Sequence, residues 1–107
     1  MTVTLPEDWR VSNGTVPLAD VARTVRQHGC TYASVDQAVR NGLVPVQRKG
    51  GRGNARHITV DDALLVLAVA TLAFAAGMAF GAMLRALRQS GATVTPAGLT
   101  IPLDIAA

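Results

Sequence analysis

The sequence predicts a mainly α-helical chain that carries one short β-hairpin, followed by two apolar helices. Three observations support this fold class. Apolar residues recur at helical spacing in two segments before residue 42. A glycine-rich basic stretch between 47 and 56 separates two short runs of β-type residues. Beyond it, twenty-two uncharged residues extend from Ala63 to Leu84, and a chain of 107 residues has room for one modest core.

The first helix is predicted in the segment VPLADVARTVRQHG, residues 16–29. Apolar residues recur there every three or four positions. Pro17 suits a first helical turn, and Gly29 is a plausible stop. The preceding residues, 1–16, are expected to form an extended arm or short strand that ends in the turn-prone SNGT.

A second helix is predicted in ASVDQAVRNG, residues 33–42. Ser34 has the chemistry of an N-cap, Gln37 three positions later completes a capping-box pattern, and Gly42 terminates the helix. Asp36 and Arg40 are four residues apart and are therefore expected to pair. The buried edge of the helix is predicted to consist of Val35, Ala38 and Val39.

The hairpin is predicted in LVPVQRKGGRGNARHITV, with a flexible tip at 50–54. A third helix follows in VDDALLVLAV, where Asp61 and Asp62 lie at the positive end of its dipole. Gly77 and Gly81 interrupt the apolar stretch before a fourth helix, which ends near Gly91.

Three regions are predicted along the chain. They are an arm at 1–16, a helical domain at 17–90, and a tail at 91–107 that forms a small hairpin or a dimer contact.

Positive charge is concentrated in the middle of the chain. From Arg23 to Arg56 there are seven basic residues and one acid, Asp36, whereas the whole chain has a net charge of only +3. Such an asymmetry attracts polyanions. The glycine-rich stretch lacks the Gly-Lys-Ser/Thr sequence of a nucleotide-binding P-loop. Nucleic acid is the expected partner of this charge, and a protein-interaction module whose basic loop binds an acidic protein is an alternative.

The order of these segments resembles the MerR-like winged helix-turn-helix family, which includes small phage and actinobacterial regulators and excisionase-like relatives. LADVAR resembles the first helix of the family, and SVDQAVRNGLVPV resembles the second helix with the corner that follows it. GNARHITVDDALLVL is similar to the return strand of the wing and the start of the next helix. AGMAFGAMLRAL is similar to the short turn and fourth helix, and the resemblance spans roughly residues 16–89.

The resemblance implies sequence-specific binding of double-stranded DNA. The second helix would enter the major groove, where glutamine pairs with adenine and arginine with guanine. The wing would lie on the backbone, with Arg52 or Arg56 on phosphate or in the minor groove. The candidate DNA-binding residues are Arg26, Tyr32, Ser34, Gln37, Arg40, Arg48, Lys49, Arg52, Asn54 and Arg56.

The expected role is that of a small transcriptional regulator in the bacterial, or phage-infected, cytoplasm. An excisionase-like factor that bends DNA for a recombinase is an alternative that uses the same contacts. A third helix that is apolar on every face must be covered all round, which predicts a homodimer or oligomer through 63–89 and the tail. The second alternative is a membrane-anchored protein, because 63–84 is long enough to span a bilayer once.

Other chemistry is not indicated by the residues. His28, Cys30 and His57 fall short of the usual set of metal ligands, and no catalytic signature surrounds the lone cysteine. We therefore expect no metal, no cofactor and no enzymatic activity. A single cysteine and an N-terminus without the pattern of a signal peptide favour a reducing cytoplasm.

Overall fold

The computed structural model describes residues 4–47 and 56–91 and, for the backbone alone, 93–95 and 98–100. The chain is mainly helical, as predicted, with two small antiparallel sheets. In chain order the elements are β1 (Thr15–Pro17), α1 (Leu18–Val25), a 3-10 turn (Arg26–His28), α2 (Tyr32–Arg40), β2 (His57–Thr59), α3 (Val60–Ala76), α4 (Phe80–Gln89), β3 (Thr93–Thr95) and β4 (Gly98–Thr100).

The first α-helix ends at Val25, earlier than predicted, and a 3-10 turn continues the helical segment to the predicted stop at Gly29. After Val25 the backbone tightens into the 3-10 turn, and Gly29 closes it with a left-handed φ of 74°. Residues that carry a Cβ atom rarely adopt this backbone conformation, which is why a glycine suits this stop. Pro17 is the residue that precedes the helix and also the last residue of β1.

The second helix begins earlier than predicted, so the assignment of Ser34 as its N-cap is wrong. The cap is Thr31, whose Oγ1 accepts a hydrogen bond from the backbone N of Ser34 at 3.2 Å. A capping side chain accepts a hydrogen bond from the backbone amide two or three positions after it. The amide of Ser34 lies three positions after Thr31, so Thr31 is in the right position to cap it. Gln37 therefore completes no capping box, and its Nε2 donates to Asn41 Oδ1 at 3.3 Å.

The strand that follows the basic loop has a different partner from the predicted one. His57–Thr59 pairs with Thr15–Pro17, with Val16 opposite Ile58, and both of these side chains are fully buried. The run 43–47 forms no strand, because Pro45 has no N–H to donate to a ladder. The two flanks of the loop still meet, since Gln47 N donates to His57 O at 2.8 Å.

The apolar run forms two helices. Thr59 caps α3, with Asp61 and Asp62 in its first turn as predicted, and the helix ends at Gly77, where φ is 68°. The axes of α3 and α4 differ by 119°. Among the described residues no single helix is long and apolar enough to cross a membrane, and only this bent pair passes that test together.

The first half of α3 is the centre of the core. Every residue from Ala63 to Ala70 is buried, because the helix packs against α1, α4 and the β1–β2 sheet. Backbone of β3 also lies beside α3. The predicted hairpin in the tail is present, with Thr95 opposite Gly98 in the β3–β4 pair.

The segment before β1 is folded against α1. Trp9 is buried, and its indole N–H donates to Thr24 Oγ1 at 2.7 Å. Asp20, which is fully buried, accepts hydrogen bonds from the Arg10 backbone N at 2.9 Å, from its Nε at 3.2 Å and from its Nη2 at 2.8 Å. These bonds tie the N-terminal segment to the first turn of α1.

We expect Asp20→Asn to lower the free energy of unfolding by about 2 kcal/mol at neutral pH, since it weakens four hydrogen bonds to a charged group, three from Arg10 and one from Arg23 Nη1 at 3.4 Å. The bonded Arg10 guanidinium holds the pKa of Asp20 below its ordinary value of 3.8. A carboxylate whose pKa is lowered on folding stabilises the fold fully above its unfolded-state pKa of 3.8. This stabilisation is lost as the pH falls from there through the lower pKa of the folded state. Urea unfolding at pH 7 and pH 3 measures this. A difference between wild type and variant that stays constant with pH would contradict it.

Candidate nucleic-acid interface

One face of α2 is buried and the other faces solvent. Val35 and Ala38 pack into the core, as predicted, and Val39 is half-buried. Tyr32 is 49% exposed, and Gln37 and Arg40 are also exposed. Three of the four predicted DNA-binding side chains of α2 therefore lie on one accessible helical surface.

Asp36 joins this surface to the base of the basic loop. Its Oδ2 accepts a hydrogen bond from Arg40 Nε at 2.7 Å, so the predicted pair is present. Its Oδ1 lies 2.6 Å from Arg56 Nη2, which also donates to the Tyr32 hydroxyl at 2.7 Å. The bonded Arg56 guanidinium, followed by that of Arg40, holds the pKa of Asp36 below its ordinary value. The carboxylate remains ionised at neutral pH.

The two residues that flank the loop at 48–55, Gln47 and Arg56, are fixed by backbone hydrogen bonds. Arg56 O accepts a hydrogen bond from Leu18 N at 2.8 Å, and the bond between Gln47 and His57 closes the base. The side chain of Arg56 then reaches α2 through Asp36. Four predicted contacts lie outside the described residues, namely Arg48, Lys49, Arg52 and Asn54.

Ser34 and Arg26 lie near the N-terminal end of α2. Ser34 is half-buried, and its Oγ is 3.1 Å from Thr31 Oγ1, so it belongs to the capping arrangement of the helix. Arg26 is exposed on the 3-10 turn and shares a shallow depression with Thr31 and Tyr32. A cation therefore borders the exposed face at this end.

Arg85 is a candidate that the sequence alone did not indicate. It is exposed on α4 and lines a groove of about 350 Å³ together with Ser34, Gln37 and Asn41 of α2 and its C-cap. Its neighbour Arg88 is engaged internally instead, as its Nε donates to Leu43 O at 3.0 Å and its Nη2 to Asp62 Oδ1 at 2.7 Å. The packing of α4 on α2 distinguishes the two arginines. Their spacing in sequence carries no such signal.

The three residues considered as metal ligands are dispersed. His57 Nδ1 lies 3.3 Å from Thr15 Oγ1, whereas the ring of His28 meets the edge of Phe74. Across residues 4–47 and 56–91, no three His, Cys, Asp or Glu side chains converge on one point. Burial raises the pKa of the Cys30 thiol to about 11, so it is protonated at neutral pH and a poor nucleophile.

Comparisons with protein-family models, with curated proteins and with solved structures gave no match. What the chain binds is therefore inferred from its own geometry, charge and chemistry.

Proposed function

We propose that the chain is a DNA-binding protein of the winged helix-turn-helix type that acts as a small transcriptional regulator. In this proposal the exposed face of α2 enters the major groove, and the basic loop follows the sugar–phosphate backbone. The order of helices, basic loop and apolar helices supports the proposal, together with the concentration of cations between Arg23 and Arg56.

The observation that carries the proposal is the ion pair between Arg56 and Asp36. It joins residues twenty positions apart, and it brings the end of the basic loop to the exposed face of α2. A base-reading helix and a backbone-binding loop must contact one duplex at the same time. The joint between Arg56 and Asp36 supports such a common surface.

The residues on α2 have the chemistry for reading bases. Gln37 can pair with the N6 and N7 edge of adenine, and Arg40 with O6 and N7 of guanine. Arg26 and Arg85 flank the two on either side, where cations supply the salt-dependent part of affinity. Arg56, whose side chain is only 25% exposed, holds the loop to the helix.

Self-association belongs to the same proposal. Phe74 is 66% exposed and Met78 is 47% exposed at the corner between α3 and α4, in a stretch without any charge. Two large apolar side chains exposed side by side are typical of an interface. A dimer would present two copies of α2 to successive turns of a duplex.

Selection of preferred duplexes from a random pool tests the proposal. Once a preferred sequence is known, Gln37→Ala should weaken binding of the preferred duplex by about 1–3 kcal/mol. It should also relax the preference for one base at a single position. Arg26→Ala should weaken all duplexes alike. Anisotropy titrations with preferred and scrambled duplexes measure both effects. If Gln37→Ala weakens all sequences equally, α2 does not read bases.

A further inference from the structure

We propose that Asp36 is a specificity-determining residue, because it holds two arginines away from phosphates and orients one of them for base reading. The inference rests on the DNA-binding function proposed above. It concerns the acid that interrupts the basic segment, which would otherwise be expected only to repel DNA.

Both carboxylate oxygens of Asp36 contact an arginine. Arg40 Nε occupies Oδ2 at 2.7 Å and Arg56 Nη2 lies 2.6 Å from Oδ1, while Asp36 itself is 20% exposed. Arg56 Nη2 carries two hydrogens, and the Tyr32 hydroxyl takes the second at 2.7 Å. One carboxylate thus accepts a hydrogen bond from one guanidinium group and forms an ion pair with a second.

Arg40 keeps the atoms that guanine recognition needs. The bond to Asp36 uses Nε and leaves both terminal nitrogens on a side chain that is 72% exposed. Those nitrogens form a fork that matches O6 and N7 of guanine. With Nε held at Asp36 the fork points in one direction, and a phosphate that lies in another direction can be reached only if the guanidinium breaks that hydrogen bond. The carboxylate therefore favours one orientation of Arg40.

The same carboxylate also lowers the non-specific affinity of the protein for DNA. Affinity for any duplex grows with the number of phosphates that cations neutralise, by counterion release. Asp36 offsets one of the two positive charges of Arg40 and Arg56 and restrains both side chains. Weak binding to random DNA raises the ratio between specific and non-specific affinity.

The test uses Asp36→Asn and a labelled random-sequence duplex of about 20 base pairs, with anisotropy read over a series of KCl concentrations. At about 100 mM KCl we expect the variant to bind about 5–10-fold tighter than wild type, with a salt slope steeper by about 1. The matched control is Glu7→Gln, which changes the net charge equally at an exposed side chain. It should change affinity by less than about 2-fold, because among the described residues Glu7 forms no ion pair with an arginine that its loss would release.

A triple variant assigns the gain to the two arginines that Asp36 holds. In Asp36→Asn with Arg40→Gln and Arg56→Gln, affinity should return to within about 2-fold of that of the Arg40→Gln, Arg56→Gln double variant. The proposal is overturned if Asp36→Asn binds no tighter than wild type, if Glu7→Gln matches it, or if the gain survives in the triple variant. If the wild-type chain binds no duplex at low salt, the proposed function itself fails.

The wild-type chain supplies a test that does not depend on the folding of any variant. In an arginine side-chain NMR spectrum, random-sequence duplex should shift the Nε–Hε signals of Arg26 and Arg85 and leave that of Arg40 in place. An equal shift at Arg40 would show that phosphates displace Asp36, which overturns the proposal.

Discussion

Replacing Arg48, Lys49 and Arg52 together by glutamine is expected to weaken binding of any duplex about 300-fold at about 100 mM salt. Each cation that neutralises a phosphate releases a counterion, and each such contact steepens the dependence of log K on log salt by about 0.9. The triple variant should therefore also flatten the slope by about 2 to 3. Anisotropy titrations of one duplex at several salt concentrations give both quantities.

The matched control for this experiment is Arg23→Gln. The guanidinium of Arg23 is already paired with Asp8 at 3.1 Å and with Asp20 at 3.4 Å, so its loss should cost less than about 3-fold in DNA affinity. Circular dichroism checks that both proteins stay folded. A triple variant with an unchanged salt slope would mean that the loop does not lie on phosphates.

The helices of this chain could be predicted from sequence because their signals are local. Apolar spacing, left-handed glycines at Gly29 and Gly77, and acids at the start of α3 all act within one or two turns. The cap of α2 was misassigned because Thr31 and Ser34 have the same capping chemistry. Only the position of the backbone amide that needs a partner distinguishes them.

Pairings across the chain could not be predicted in the same way. The strand partner of His57–Thr59 lies forty or more residues away, and valine, a residue of high β propensity, occurs in both candidate strands. The proline at 45 was the one local sign against the nearer partner. The same holds for the candidate site. The Asp36–Arg40 pair could be predicted from its i,i+4 spacing, whereas the Asp36–Arg56 contact depends on the tertiary fold and has no local signal in the sequence.

The apolar run illustrates a further limit of composition. Twenty-two uncharged residues fit a bilayer span, a buried helix or an interface equally well. The positive φ at Gly77 and the resulting bend of 119° divide the run, and tertiary packing buries the residues up to Ala70. The continuous exposed stretch of the run is residues 74–79, which form the last turn of α3 and the corner that follows it.

Changing Phe74 and Met78 together to serine is expected to convert the proposed dimer into a monomer. The corner presents the exposed ring of Phe74 and, beside it, a cavity of about 350 Å³. The cavity is lined by His28, Cys30, Ala73, Met78 and Phe80, so a second copy could insert an apolar side chain there. Burying a phenylalanine or methionine stabilises by about 1.5–3 kcal/mol, and in a symmetric interface each loss counts twice. The dimer dissociation constant should therefore rise at least about 100-fold.

Light scattering coupled to size-exclusion chromatography over a range of concentrations measures this change. The matched control is Leu5→Ser with Val11→Ser, which removes two other exposed apolar side chains and should leave the dimer intact. Losing the dimer should also lower affinity for a two-half-site duplex by at least about 100-fold, because the second contact is no longer intramolecular. Affinity for a single half-site should not change. A wild-type chain that is monomeric at all concentrations would contradict the role assigned to this corner, and the exposed face of α2 would then have to bind DNA as one copy.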